Sequence, residues 1–549
     1  MNVLLFSMPD SFEHTPSLTM RMPNGALASL AGNLDPHHTV AVADLILAQQ
    51  SVPQTVARLV TSLEPDVVGL SVMTFQRKTA MKVIALVRAL RPRAAIVVGG
   101  YDPSLAPEHY EHPESGVDFV VSGEGDLTFR ELVRTLEEQA AGGRPRAAGK
   151  GTNHASRSKP LDEIAGLSYR DGTGTFVRNR PRPVSHLDGE VRPPNRAARV
   201  LTGYTLLGRP VDIVETSRGC TYDCSFCSII EMRGRNFHTW SHDRVIADIA
   251  DAKRRGARAI FLVDDNITLN VARFKGLCQA IVDAGLHDID YIVQAMTSAI
   301  ASSGDELGAA MRAAGFRYVF LGIENVLDQD LAFLKAKAKN ARREGGRTVG
   351  SATMRAVEVL HRYGMLVVGG LIVGNPGDTR ESIEANLDFA RKYVDWPYIQ
   401  HPTPYPGTPM TQDFREKNLI VNEAVEEYDG TTAVVRTEHL DAEEIEFMRW
   451  RAERWMKCRH LPSALAHDPL FVMTHWPRML GHTFRGSSWR TWLGLESERE
   501  AFRRYKAIRR REREFFPESA SGPGTTAVGR SGLEAAASSQ TAAGSALRM

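Results

Sequence analysis

Short apolar runs alternate with amphipathic stretches over the first 140 or so residues, a rhythm that predicts strand and helix units on a parallel sheet. Five runs read as strands: Asn2 to Phe6, Val40 to Asp44, Val67 to Ser71, Ala95 to Gly99 and Phe119 to Ser122. A second series starts at Val211-Asp212-Ile213-Val214-Glu215 and continues through Ala259 to Val263, Tyr291 to Gln294, Tyr318 to Ile323, Val367 to Val373 and Tyr398 to His401. Between the two series, residues 141–160 hold five Lys or Arg and no acidic residue among Gly, Ala and Ser, a composition that gives a solvated connector. Residues 161–205 carry short strand-like pieces and Arg192-Pro193-Pro194, and read as a linking segment draped between domains. Beyond Asp441 the pattern turns helical and rich in Trp and Arg, and after Pro517 it collapses into Ala, Ser, Gly and Thr. The expected layout is a first α/β domain over 1–140, a linker over 141–205, a second β/α domain over 206–430, a helical region over 431–516 and a disordered tail over 517–549.

The first series suggests a doubly wound, flavodoxin-like α/β domain, in which ligands sit outside the carboxyl ends of the strands. Those ends carry Ser71-Val72-Met73-Thr74, Gly99-Gly100-Tyr101-Asp102-Pro103 and Gly123-Glu124-Gly125-Asp126. Taken singly these are ordinary strand-to-helix turns, although their glycines also let backbone approach a ring or a phosphate closely. Asp35-Pro36-His37-His38 leads into the second strand and reads as a solvated turn.

Composition narrows the class. A chain of 549 residues is too long for one core, and a formal net charge of +2 gives no global attraction to nucleic acid, so none is expected as partner. Five cysteines, Cys220, Cys224, Cys227, Cys278 and Cys458, do not suit a disulfide framework and imply a reducing, cytoplasmic setting. The N-terminus reads as a strand rather than a signal peptide, and no apolar run approaches the length that spans a bilayer.

The chemistry is concentrated in Ser217-Arg218-Gly219-Cys220-Thr221-Tyr222-Asp223-Cys224-Ser225-Phe226-Cys227. Three thiolates at C-x3-C-x2-C spacing can converge on a cubic iron–sulfur cluster and leave its fourth iron open. A zinc site would need a fourth ligand, and His238 lies eleven residues beyond Cys227, outside the usual ranges. Spacing and the aromatic Phe226 resemble the signature of the radical S-adenosylmethionine (SAM) enzymes. That resemblance implies a [4Fe-4S] cluster on Cys220, Cys224 and Cys227, SAM bound at the open iron, and a partial β/α barrel of six strands. The three strand-end loops ahead of it resemble the cobalamin-binding domain of one branch of that superfamily, which implies cobalamin held by Ser71, Thr74, Gly99, Gly100, Gly123, Glu124 and Gly125. The Asp-x-His-x-x-Gly sequence that ligates cobalt in other cobalamin proteins is absent, since the Asp35 segment lacks its glycine.

In β/α barrels functional groups gather at the carboxyl ends of the strands. There the resemblance places SAM contacts at Asp264, Asp265 and Asn266 after the second strand, at Glu324 after the fourth, at Gly374 after the fifth, and at Phe226. Helix capping by residues 264–266 and a salt bridge from Glu324 to Arg317 are the alternatives. The chain thus resembles the cobalamin-dependent radical SAM methylases, closest to those acting on polycyclic terpenoid lipids of the hopanoid type. In that family an adenosyl radical removes hydrogen from an unactivated carbon and cobalamin passes on a methyl group, with electrons from flavodoxin or ferredoxin. Cyclisation of a substrate and a non-catalytic sensor are the competing functions. Seven basic residues among 502–513, near Trp489 and Trp492, add an expected peripheral contact with anionic membrane and a small-molecule or lipid substrate.

Overall fold

In the computed structural model, which describes residues 1–11, 20–142, 159–185, 187–344, 347–467, 469, 472–473 and 488–516, the apolar runs become the strands of two sheets. The first sheet holds β1 (Asn2–Ser7), β2 (Thr39–Asp44), β3 (Val67–Ser71), β4 (Ala95–Gly99), β5 (Phe119–Val121), β6 (Leu167–Arg170) and β7 (Phe176–Arg178). Its order is β2-β1-β3-β4-β5-β6-β7, with the first five strands parallel and the last two antiparallel. The order reverses between β1 and β3, the switch point at which such sheets open a crevice. Helices α1 (Gly25–Asn33) and α2 (Val52–Leu63) and, after β3, α3 (Arg77–Leu90) supply crossovers; α4 (Gly125–Ala140) follows β5. The Asn24 side chain caps α1 by accepting from the Leu27 amide at 3.2 Å. The apolar faces of β1, β3 and β4 meet α1 and α4 through Leu5, Val97, Leu27 and Phe129.

The second sheet contains β8 (Arg209–Val214), β9 (Ala259–Leu262), β10 (Asp290–Met296), β11 (Phe316–Glu324), β12 (Leu366–Ile372) and β13 (Trp396–Gln400), all parallel and in chain order across the sheet. Thr205–Leu206 and then Met20–Arg21 extend its β8 edge antiparallel. A stretch following β1 therefore belongs to the second sheet, while β6 and β7, from the segment expected to be a draped linker, belong to the first. Residues 143–158 of the expected connector and 517–549 of the expected tail lie outside the described residues. The polar stretch 341–351 forms a two-stranded ribbon, Ala341–Glu344 with Arg347–Ser351, that the alternation of residues did not suggest.

One reading of charge is corrected and a second is narrowed. His38 is buried, not solvated; its ring lies 3.2 Å from the Met1 amine and sits tilted, 4.1 Å between centroids, against exposed His37, which meets Glu137 at 2.9 Å. Burial, first of all, pulls His38 down to about 4, so it stays neutral. The basic C-terminal helix, α6 (Glu498–Glu512), which follows α5 (Ala442–His467), is largely neutralised by its own chain. Arg509 pairs with Asp429 at 3.1 Å and Glu446 at 3.6 Å, Lys506 with Glu446 at 3.1 Å, Arg504 with Glu496 at 2.7 Å, and Arg510 with Glu427 at 3.3 Å. Arg513 also pairs with Asp429. Phe502 is buried against Phe447 and Trp450, so α6 is a structural element before it is a lipid-facing arm. Among the described residues no helix is long and apolar enough to cross a membrane.

Candidate functional site

The cysteine loop leaves the carboxyl end of β8 and is closed at its base by Ser217–Arg218 pairing antiparallel with His238–Thr239. Gly219 turns at φ +88°, where a Cβ would lie 2.5 Å from the Asn236 carbonyl oxygen, so only glycine fits. Its amide donates to the Asp265 carboxylate at 2.7 Å. At the middle of the loop Ser225 is fixed from three directions. Its amide donates to Leu334 O at 3.1 Å, its hydroxyl to Phe333 O at 2.9 Å, and its carbonyl accepts from Met410 N at 3.0 Å.

Cys224 is buried, Cys220 and Cys227 are half-buried, and none forms a disulfide. Burial pushes the Cys224 thiol up to about 11 and the Cys227 thiol up to about 12. Bare thiolates are therefore costly here, whereas coordination to iron would hold them deprotonated, and the donor set fits a cluster. Asn266 places its amide nitrogen 3.8 Å from Cys220 Sγ. Cys278, remote in the barrel core, is a packed apolar group; the Cys458 side chain is outside the described residues.

The neighbouring carboxylates separate by role. Asp264 is 1% exposed and spent on the loop, accepting from Thr216 N at 2.7 Å and Ser217 Oγ at 2.6 Å; burial raises it to about 6. Asp265 braces Gly219 and lies 3.6 Å from Arg233. Glu324 ends β11 in the left-handed region at φ +61° and pairs with Lys339, an interaction in which Arg317 takes no part because it meets Asp290 at 3.2 Å. The Lys339 ammonium also lies 5.7 Å from the Phe226 ring centroid, and Phe226 packs beside Leu334 and Met410. Lys339 sits in a charged run that gives no sign of its burial. Gly374, at φ +103°, is enclosed by protein, since a Cβ there would meet Ile445 at 3.1 Å and Pro402 at 3.6 Å.

A cavity of about 410 Å³ separates the strand ends of the first sheet from the cysteine-loop side of the second. Ser71, Gly99, Gly100, Gly123, Glu124 and Gly125 line one wall; Thr74, 2% exposed, is not among the lining residues. The opposite wall includes Glu215, Arg218, Met232, Arg233, Trp240 and Val263. Gly100 has φ +103°, and a Cβ would come within 2.8 Å of Val72 O. Glu124 Oε1 and Arg233 Nε are buried without a hydrogen-bond partner. A glycine-floored, mixed polar cavity with orphaned polar atoms fits a large amide-rich ring such as cobalamin.

Arg218, next to the first cysteine, joins the two walls. Its guanidinium donates to Asp126 at 2.7 Å and to Glu215 at 2.8 Å, and is 6% exposed. Burial works against the charge, but Asp126 and Glu215 hold the guanidinium well above its ordinary value. Position beside Gly219-Cys220 was the one signal in the chain that could have singled it out.

Two family models match the chain: "B12 binding domain" over residues 17–133 and "Radical SAM superfamily" over residues 214–390. An uncharacterized methyltransferase of Pyrococcus horikoshii is 28% identical over 425 residues, covering 77% of this chain and 85% of the relative. The hopanoid C-3 methylase of Methylococcus capsulatus is 25% identical over 403 residues, 72% of this chain and 68% of that protein. The fold is also that of the radical SAM methyltransferase TsrM from Kitasatospora setae, solved with cobalamin and a [4Fe-4S] cluster. That likeness has a TM-score of 0.58 at 21% identity and covers 77% and 79% of the two chains.

Proposed function

We propose that the chain is a cobalamin-dependent radical SAM methyltransferase whose substrate is an unactivated carbon of a hopanoid-type polycyclic terpenoid lipid. The observation that supports this reading is a cavity shared by the glycine loops of the first sheet and the cysteine-loop side of the barrel. When bound, the cluster with SAM supplies hydrogen abstraction and cobalamin supplies methyl transfer.

The residues of this chain position those groups and exclude water. Cys220, Cys224 and Cys227 would hold the cluster, with Asp265 and Ser225 fixing the loop's shape and Asp264 acting through Thr216 and Ser217. Glu324, Asn266 and Phe226 stand around the loop where SAM would lie, and Lys339 supplies a buried cation there. Gly99, Gly100, Gly123 and Gly125, with Ser71 and Glu124, would floor the cobalamin site. Arg218 fixes one wall against the other, so that groups held on the two walls would be kept in register.

The substrate class rests on likeness to the hopanoid C-3 methylase. A one-electron donor such as flavodoxin or ferredoxin completes the scheme, and contact with anionic membrane during substrate uptake is part of the same reading. Comparison of lipid extracts from cells with and without the gene tests it. A hopanoid heavier by one methylene only in the gene-bearing cells is expected; identical extracts would move the substrate to another class.

A further inference from the structure

Six arginines line the cavity: Arg192, Arg196, Arg199, Arg218, Arg233 and Arg244. Five stand beside a carboxylate of the chain. Arg192 meets Asp35 at 3.2 Å, Arg196 meets Asp212 at 3.0 Å, Arg199 meets Asp212 at 2.9 Å, Arg218 meets Asp126 at 2.7 Å and Arg233 meets Asp265 at 3.6 Å. Arg244 has no carboxylate within ion-pair reach among the described residues. Its guanidinium donates to the Val191 carbonyl at 2.9 Å and stacks 4.2 Å from the ring centroid of Trp240, which is itself buried. Burial lowers the Arg244 pKa and prevails over the more distant Asp248 and Asp188, whereas the directly paired carboxylates raise Arg196 and Arg218 against the same burial.

A cavity-lining guanidinium held by an indole and a carbonyl is aimed without being neutralised, and it retains donors for a ligand. The corrinoid has neutral amide side chains and one fixed anion, the phosphodiester of its nucleotide arm. Resting on the assignment of this cavity to cobalamin, we propose that Arg244, positioned by Trp240, binds that phosphodiester. The cofactor would then be gripped from both sides: by the loops of the first sheet at the ring and by the helix His242–Arg254 of the barrel at the arm. Binding would carry a preference for complete cobalamin over cobinamide, which lacks the nucleotide arm and its phosphodiester.

The test is equilibrium binding of cobalamin and cobinamide to the full chain, as the wild type, Arg244→Gln and Arg244→Lys. Loss of a charge-assisted contact is expected to weaken cobalamin roughly tenfold or more in Arg244→Gln, with cobinamide changed by less than about twofold and Arg244→Lys intermediate. The Arg244→Gln loss should also reduce the salt sensitivity of cobalamin binding. Equal weakening of both corrinoids would assign Arg244 a structural role and overturn the proposal, as would unchanged cobalamin affinity. Weakened SAM binding with cobalamin unchanged would assign the anion to the SAM carboxylate and likewise overturn it. Failure of the wild type to bind either corrinoid would instead remove the cavity assignment beneath it.

Discussion

Replacing Arg218 with Met keeps much of the side chain's apolar volume and removes the charge that joins the two walls of the cavity. Asp126 is then left with Ser29 Oγ at 2.5 Å and Asn33 Nδ2 at 3.4 Å, and Glu215, more open to solvent, loses its contact. Breaking a buried pair from one side costs about 3–5 kcal/mol, and the remaining hydroxyl and amide partners put this case near about 3 kcal/mol. The loss depends on pH. Burial alone would raise Asp126, yet Arg218 outweighs it and holds the carboxyl below its ordinary range. In the wild type, the pair's contribution is therefore present above the unfolded carboxylate pKa and is lost as pH falls through the lower folded value. In Arg218→Met burial prevails, so the penalty for ionised Asp126 grows as pH rises from the unfolded pKa and is largest at pH 8. Urea midpoints of the apoprotein, followed by tryptophan fluorescence at pH 5 and pH 8, measure the gap. The variant should fall short of the wild type at both values, by more at pH 8 than at pH 5, and adding Asp126→Asn should recover much of the loss. A gap that widens toward pH 5, or an Asp126→Asn change that deepens it, would refute this reasoning.

Cys220→Ala, Cys224→Ala and Cys227→Ala should each abolish the brown chromophore and SAM cleavage after anaerobic reconstitution, while Cys278→Ala keeps both; iron content and absorbance read this directly. Gly100→Ala forces a positive φ and a 2.8 Å approach to Val72 O, so the reconstituted variant should lose cobalamin on gel filtration yet keep its iron. Phe502→Ala should lower stability by about 3–5 kcal/mol in thermal unfolding because the ring is fully buried between Phe447 and Trp450. By contrast Arg503→Ala, at an exposed position, should stay within about 0.5 kcal/mol.

Both sheets were legible because parallel strands buried on two faces are written as uninterrupted apolar runs. β3 and β4 match their runs residue for residue, and all six barrel strands fall where the second series put them. The additions came from segments whose partners are distant. Leu167–Arg170 finds β5 across a long connection, and Met20–Arg21 finds Thr205–Leu206 in the other sheet. Strand-end glycines were readable as a group because a loop at a carboxyl edge has few other reasons to repeat Gly-Gly and Gly-x-Gly. Which carboxylate faces which cation was not readable. Glu324 meets Lys339 rather than Arg317, Asp264 turns to Thr216 and Ser217, and the basic residues of α6 meet Asp429 and Glu446. Such pairings are fixed by tertiary packing, to which charge patterning along the chain is blind.

In the proposed reaction one cavity brings SAM chemistry and cobalamin to a carbon and leaves a methyl group there. Anaerobic enzyme reconstituted with iron, sulfide and cobalamin, given a reductant, methyl-deuterated SAM and a lipid extract from cells lacking the gene, tests it most directly. A product that gains a labelled methyl group, with formation of 5′-deoxyadenosine, is expected from the intact enzyme and from neither Cys224→Ala nor the cobalamin-free protein. Turnover of substrate with 5′-deoxyadenosine formed and no label in any product would contradict it and assign the site to ring closure or rearrangement.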